Sequence, residues 1–170
     1  GFRGATPEVV IAPAVGGVIL SQWTAHHLSE MTHREVLAVY AEKETLPIPD
    51  PDGKGRVCFV ETGNFIIKRG YDKLVVGKNV LVVEDVLTTG GSAEKVVKAT
   101  RAAGGFVVGL GCLWNRGWVR PQDVANIAEI ISLVEMRLDD WDAAECPLCI
   151  QGVPVNTEVG KGREFLSRLR

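Results

Sequence analysis

Apolar residues along this chain fall into short blocks that change period between strand-like and helix-like spacing. Val9-Val-Ile-Ala-Pro13 is a β-branched run closed by proline, followed by Ala14-Val15-Gly16-Gly17 and then apolar positions at Ile19, Trp23 and Leu28. That pattern predicts a strand, a tight loop and a helix. Glu35 to Tyr40 is rich enough in Val and Leu for a second strand, and Thr45 to Gly55, dense in Pro, Asp and Gly, predicts a loop. Val57–Val60 and Phe65–Ile67 flank Thr62-Gly63-Asn64, which predicts a projecting hairpin whose turn uses Gly and Asn for positive φ. Lys78-Asn79 lead into Val80-Leu-Val-Val83, an uninterrupted apolar run of the kind buried on both faces of a parallel sheet, so this strand should be central.

The second half repeats the alternation. After Thr88 to Gly91, Ser92 is a good N-cap, and Ala93, Val96, Val97, Thr100 and Ala103 recur at helical spacing until Gly104-Gly105. Phe106 to Leu113 and Glu129 to Val134 read as further strands. Strand alternating with helix predicts an α/β domain with a mainly parallel sheet flanked by helices, in which ligands sit at the carboxyl ends of the strands. A chain of 170 residues fits a single domain, residues 1–170, with 137–170 as a carboxyl-terminal tail.

Composition narrows the class. With 46% hydrophobic and 24% charged residues the chain groups with globular proteins, and a formal net charge of -2 argues against nucleic acid as its main partner. The apolar runs Val9 to Ala14 and Phe106 to Trp114 are too short to span a bilayer, and no basic leader with an apolar core opens the sequence. No membrane partner and a cytoplasmic setting are therefore expected. Cys58 and Cys112 lie inside strand-like runs and behave as small hydrophobes, so no disulfide framework is expected. Cys146-Pro-Leu-Cys149 supplies half of a structural zinc site, open to completion by another chain. His26, His27 and His33 fall on or just after the first helix as structural or solvated groups, and Gly160-Lys161-Gly162 lacks the spacing of a nucleoside-triphosphate loop.

The chemistry concentrates in Val80-Leu-Val-Val-Glu-Asp-Val-Leu-Thr-Thr-Gly-Gly-Ser92. An apolar strand delivers two adjacent carboxylates, Glu84 and Asp85, and then a loop of hydroxyl and glycine residues that opens a helix. Unencumbered amides at Gly90 and Gly91, with the hydroxyls of Thr88, Thr89 and Ser92, suit a phosphate monoester. The two acids can accept hydrogen bonds from sugar hydroxyls and stay ionised to favour a cationic transition state. Both roles are served by a ligand with a sugar between its phosphate and its reacting carbon.

This stretch resembles the signature of type I phosphoribosyltransferases, which bind 5-phosphoribosyl pyrophosphate (PRPP). The resemblance runs from Val9 to about Val134 and implies that fold, with a projecting β-ribbon or flexible loop. It also implies PRPP binding by Val86, Leu87, Thr88, Thr89, Gly90, Gly91 and Ser92, with Asp85 and Glu84 at the reacting ribose. Ala14, Val15, Gly16 and Gly17 resemble the family's pyrophosphate loop, and Gly16 stands where some orotate enzymes carry a lysine. Ala41-Glu42-Lys43-Glu44 and Lys68-Arg69-Gly70 bracket a region similar to the flexible catalytic loop. Lys43 is the catalytic candidate there, and Lys68 and Arg69 are PRPP ligands.

Arg116, in Leu113-Trp114-Asn115-Arg116-Gly117, resembles the arginine with which orotate enzymes grip the base carboxylate, although Asn115 replaces the usual acid. Trp114 and Trp118 are candidates either for stacking on a base or for the core. The resemblance further implies orotate as acceptor, a homodimer, and Mg2+ entering with PRPP rather than through protein ligands. Only Gly1 to Glu8 precede the first strand, so the amino-terminal hood of the orotate enzymes is expected to be reduced or absent. Alternative readings are transfer to adenine, xanthine or hypoxanthine-guanine, and a PRPP- or nucleotide-sensing, RNA-binding regulator on the same fold; a PRPP synthetase should be about twice as long.

Overall fold

The computed structural model describes residues 5–49, 56–139 and 141–168. It divides into two compact units, Gly1–Arg137 and Leu138–Arg170. The larger contains, in chain order, β1 (Val9–Pro13), α1 (Gly17–Thr32), β2 (Leu37–Pro49), β3 (Val57–Ile66), α2 (Tyr71–Val75), β4 (Asn79–Leu87), α3 (Gly91–Ala102), β5 (Phe106–Asn115) and β6 (Ile130–Glu135). A 3-10 turn at Pro121–Val124 joins the last two strands. The smaller unit holds α4 (Pro147–Ile150) and α5 (Gly162–Arg168).

The six strands form one sheet in the order β3-β2-β1-β4-β5-β6. Every pairing is parallel except β2 with β3. Because side chains alternate across a strand, the apolar runs of β1 and β4 supply both faces. Val9, Ile11, Val80 and Val82 join Ala93, Val96 and Val97 of α3 in one core cluster. Val10, Ala12, Leu81 and Val83 pack with Ala25, Leu20 and Leu28 of α1 in the other. The expected α/β architecture with a central β4 is therefore present.

Four local expectations are corrected. Thr62-Gly63-Asn64 makes no turn, because β3 runs unbroken and pairs antiparallel with β2. Lys43 pairs with Phe65 and Thr45 with Glu61, so Glu44 stands opposite the three residues of a bulge. The Thr62 hydroxyl donates to Glu44 Oε2 at 2.6 Å, and Gly63 adopts φ 83°. Thr45–Pro49 is strand rather than loop, pairing with Val57–Glu61. Past Ala41 the described residues give β2 no neighbour but β3, and prolines are tolerated on such an open edge. The remainder of that predicted loop, 50–55, lies outside the described residues.

In α1 the buried positions are Gly17, Ser21 and Ala25, whereas Ile19 and Trp23 face outward, 71% and 56% exposed. Small residues let the helix lie close to the sheet, with Leu20 and Leu28 packed at its flanks and Ile19 and Trp23 left on its outer side. Ser92 does not cap α3. The N-cap is Gly90, in the left-handed region, without a side-chain cap.

Candidate functional site

The site begins where the apolar stretch of β4 ends. Val82 and Val83 anchor the strand in the two core clusters, and register continues through Glu84 opposite Cys112 to Leu87 opposite Asn115. Glu84 is only 7% exposed, and Asp85 is half-buried. The Asp85 amide donates to Glu84 Oε1 at 3.3 Å, and the Val86 amide to Asp85 Oδ1 at 2.7 Å. Burial, reinforced by the hydrogen bond and charge of Asp85, pushes the Glu84 carboxyl up to about 8. Near neutral pH this shift favours the protonated form of Glu84, which can donate as well as accept. Its direction runs against the expectation that Glu84 stays ionised.

Residues 84–93 line a single cavity of about 220 Å3. Gly90 turns the chain into α3 with φ 78°, and its carbonyl accepts from the Glu94 amide at 2.8 Å. A Cβ at Gly90 would lie 2.8 Å from Val119 Cγ1 and 2.9 Å from Val124 Cγ1. Both conformation and space thus require glycine. The Gly91 amide donates weakly to Thr89 Oγ1 at 3.4 Å, and Thr88, Thr89 and Ser92 are exposed. The first amides of α3 have no intrahelical acceptor and carry the positive end of the helix dipole. This cavity can hold a tetrahedral oxyanion.

The loop after β1 meets this edge. A Cβ on Gly16 would lie 2.7 Å from Asp85 Oδ2, and one on Gly17 2.6 Å from the Ala12 Cβ. The Ala14 amide donates to the Ala41 carbonyl at 2.8 Å, the Ala14–Val15 peptide is cis, and Val15 is 86% exposed. The structure thus brings 14–17 beside 84–92.

The basic candidates are arranged differently. Lys43, on β2, pairs with Glu61 across the ribbon at 2.9 Å, and Arg69 pairs with Glu42 at 2.8 Å. Arg69 holds the Glu42 carboxyl below the usual carboxylate range. None of Lys43, Lys68 and Arg69 lines the cavity. Arg116 follows β5, with its guanidinium 5.7 Å from the Trp114 ring centre. Trp114 is half-buried, its indole N–H donating to Met136 O at 2.8 Å. Trp118, 62% exposed, is not a core residue.

Several residues at the site had no role in the sequence reading. Asn115 is buried and bonds both ways with the Val119 backbone. Gly117 and Val119 approach the cradle from the β5 side. The Asn-Arg-Gly segment was a visible signal, but nothing local marks Val119 or Val124.

Among the described residues the one group of three potential metal ligands is His26, His27 and Glu30, all exposed on α1. Trp23 stacks beside these histidines. In the smaller unit Cys146 is held below the ordinary thiol range by the Cys149 amide, while Cys149 is pushed up by Cys146. Among the described residues no third ligand joins them. Gly160-Lys161-Gly162 leads into the seven-residue α5. At the main site the acidic oxygen donors are the carboxyl groups of Asp85 and Glu84. That set fits a Mg2+ ion that takes most of its oxygen ligands from a polyphosphate, as this hard cation commonly does.

An α/β sheet whose central strand ends in paired acids and a glycine-based oxyanion cradle defines a class of protein with a site suited to a phosphorylated ligand at its strand carboxyl ends. The comparisons with known proteins make this specific. The model of the phosphoribosyl transferase domain matches residues 3–150. The chain is 32% identical over 154 residues to the orotate phosphoribosyltransferase of Caldanaerobacter subterraneus, covering 91% of this chain and 67% of that protein. It is 30% identical over 151 residues to the orotate phosphoribosyltransferase of Chlorobium phaeobacteroides, covering 88% and 63%. A phosphoribosyltransferase structure from Corynebacterium diphtheriae superposes with a TM-score of 0.53 at 27% identity, covering 77% of this chain and 69% of that one. An adenine phosphoribosyltransferase structure from Thermoanaerobacter pseudethanolicus, at 21% identity and TM-score 0.53, covers 79% and 74% and shares the fold. This chain belongs to the phosphoribosyl transferase domain family. It spans about two thirds of the length of the curated relatives it matches. Among the described residues no helix is long and apolar enough to cross a membrane.

Proposed function

We propose that this protein transfers a phosphoribosyl group from PRPP to orotate, giving orotidine monophosphate and pyrophosphate. The observation that carries the reading is the cavity formed by residues 84–93, where the acid pair and the phosphate cradle share one wall. The choice of orotate is supported by relatives of that name at 30–32% identity and by Arg116 at the end of β5, since a guanidinium matches a carboxylate in bidentate fashion.

In this reading the 5-phosphate rests on Thr88 to Ser92, and Val86 and Leu87 shape the approach. Glu84 and Asp85 hold the ribose hydroxyls. The pyrophosphate lies along Ala14 to Gly17, with Lys68 and Arg69 at its outer side. The bond from the anomeric carbon to the pyrophosphate oxygen breaks, and its electron pair leaves with pyrophosphate. The charge on Asp85 stabilises the developing oxocarbenium ion, and a ring nitrogen of orotate forms the new bond from the opposite face as its N–H bond breaks and the proton passes to solvent. Mg2+ bound to PRPP would neutralise charge on the pyrophosphate, and the Asp85 carboxylate would be available to hold it. Lys43 serves the leaving group once the ribbon closes.

The same reading includes a homodimer, for which the exposed Ile19 and Trp23 of α1 offer apolar surface of the kind self-association covers. It also takes 1–170 as one transferase domain, in a cytoplasmic setting. The test is pyrophosphate release from PRPP and Mg2+ with orotate, adenine, guanine, hypoxanthine, xanthine and uracil offered separately. Release with orotate alone is expected. Release with a purine alone would overturn the base assignment, and absence of PRPP binding would overturn the function.

A further inference from the structure

The loop that carries Arg116 is fastened to the phosphate cradle at two places. The amides of Arg116 and Gly117 both donate to the Leu87 carbonyl, at 3.0 and 3.1 Å. Leu87 is the last residue of β4, immediately before the cradle. A Cβ on Gly117 would lie 1.6 Å from the Thr88 carbonyl oxygen, so the two backbones touch with no room for a side chain.

The second fastening runs through Asn115, which is 3% exposed. Its Nδ2 donates to the Val119 carbonyl and its Oδ1 accepts from the Val119 amide, both at 2.9 Å. One side chain therefore closes residues 115–119 into a ring. It fixes Val119, whose Cγ1 stands over Gly90 together with that of Val124. The far side of the loop is tied as well, since the Arg120 amide donates to Asp123 Oδ2 at 2.8 Å and Arg101 Nη1 to the Ala125 carbonyl at 2.6 Å. Only an amide satisfies both the N–H and the C=O of Val119. A carboxylate would set an acceptor against the carbonyl.

We infer that Asn115 is a positioning residue that joins the base-recognition loop and the phosphate cradle into one rigid body, so that a ligand in the cradle strengthens base binding at Arg116 and the reverse. The inference rests on the proposed function for the identity of the two ligands. By linkage, the effect of each ligand on the other must be equal.

The test is calorimetric titration of ribose 5-phosphate and of orotate, each alone and each in the presence of the other. For the unaltered protein each ligand should raise the affinity of the other about tenfold. In Asn115→Ala each ligand should still bind alone, and the mutual enhancement should fall to near one. Asn115→Asp keeps the acceptor and loses the donor, and should retain an intermediate enhancement. If Asn115→Ala does not fold, Val119→Ala leaves the backbone bonds in place, removes the methyl contact over Gly90 and should also lose the enhancement.

A lowered melting temperature with the enhancement intact would reduce Asn115 to a structural role and overturn the inference. Independent binding of the two ligands to the unaltered protein would also overturn it while leaving the proposed function standing. Failure of ribose 5-phosphate to bind at all would overturn both.

Discussion

Replacing Glu84 with glutamine should make the protein more stable at alkaline pH and leave it nearly unchanged at acid pH. Burial and the neighbouring Asp85 lift the Glu84 carboxyl from its ordinary 4.5 to about 8. The unfolded chain releases this proton near 4.5 and the folded chain only near 8. The stability that Glu84 confers is thus complete below about 4.5 and is lost as pH rises through about 8. An interval of ~3.5 pH units at ~1.36 kcal/mol each sets a ceiling of ~5 kcal/mol. Glu84 lines an open cavity, and water reaching the carboxylate lowers the expected effect to ~2–4 kcal/mol at pH 9. Glutamine reproduces the protonated acid, because its oxygen can accept from the Asp85 amide and its nitrogen can donate toward the Asp85 carboxylate. Urea unfolding followed by tryptophan fluorescence at pH 5 and pH 9 measures the difference. All other titrating groups are common to both proteins and cancel. A Glu84→Gln advantage that stays constant between the two pH values would refute the argument, because it would mean that Glu84 titrates in the ordinary carboxylate range.

The remaining predictions address the division of labour at the site. Gly90→Val should abolish PRPP binding, measured by titration, since its Cβ would meet Val119 and Val124 within 3 Å at a φ of 78°; unchanged affinity would remove the cradle from the phosphate site. Asp85→Asn should keep ribose 5-phosphate affinity within about threefold and lower turnover about 100-fold or more, as expected for a charge that acts on the transition state. A parallel loss of both would merge the two roles. Arg116→Ala should weaken orotate about tenfold or more, the worth of a charge-assisted pair, and leave ribose 5-phosphate binding alone within about threefold. Equal orotate affinity in both proteins would end the case for that base.

Much of the fold was legible because the elements that position the site obey local rules. Val80–Val83 is apolar at every position and became the central strand, and Ala93, Val96, Val97 and Thr100 kept the helical spacing that buries them in α3. The errors arose where one local signal serves two geometries. Gly63 needs positive φ in a bulge as much as in a turn, and only the pairing of Lys43 with Phe65 and Thr45 with Glu61 tells them apart. Prolines at 47 and 49 read as loop because the open edge that tolerates them is a property of the sheet. Ser92 has the chemistry of a cap, but the left-handed Gly90 ends the turn two residues earlier. The raised Glu84 carboxyl was hidden for a similar reason, since its burial comes with the pairing of β4 against β5, where Glu84 stands opposite Cys112.

The ion pairs of the ribbon bear on how a site this open could work. Lys43 and Arg69 are engaged with Glu61 and Glu42, but that engagement is no reason to exclude them from chemistry. Both cations are more than half exposed in those pairs, and exposed pairs contribute only about 0–1 kcal/mol. Exchanging such a partner for a pyrophosphate costs little, and a polyphosphate offers more charge than one carboxylate. On the proposed function, Glu42 and Glu61 would hold the basic side chains on the ribbon until an anion of higher charge arrives. The cradle, by contrast, rests on buried Leu87 and Gly90, with Gly117 packed against the Thr88 carbonyl, and is ready before the ligand binds. A rigid phosphate anchor, with weakly held cations on the ribbon outside its lining, suits a reaction in which the ribose must stay fixed while the group leaving it is gathered and released.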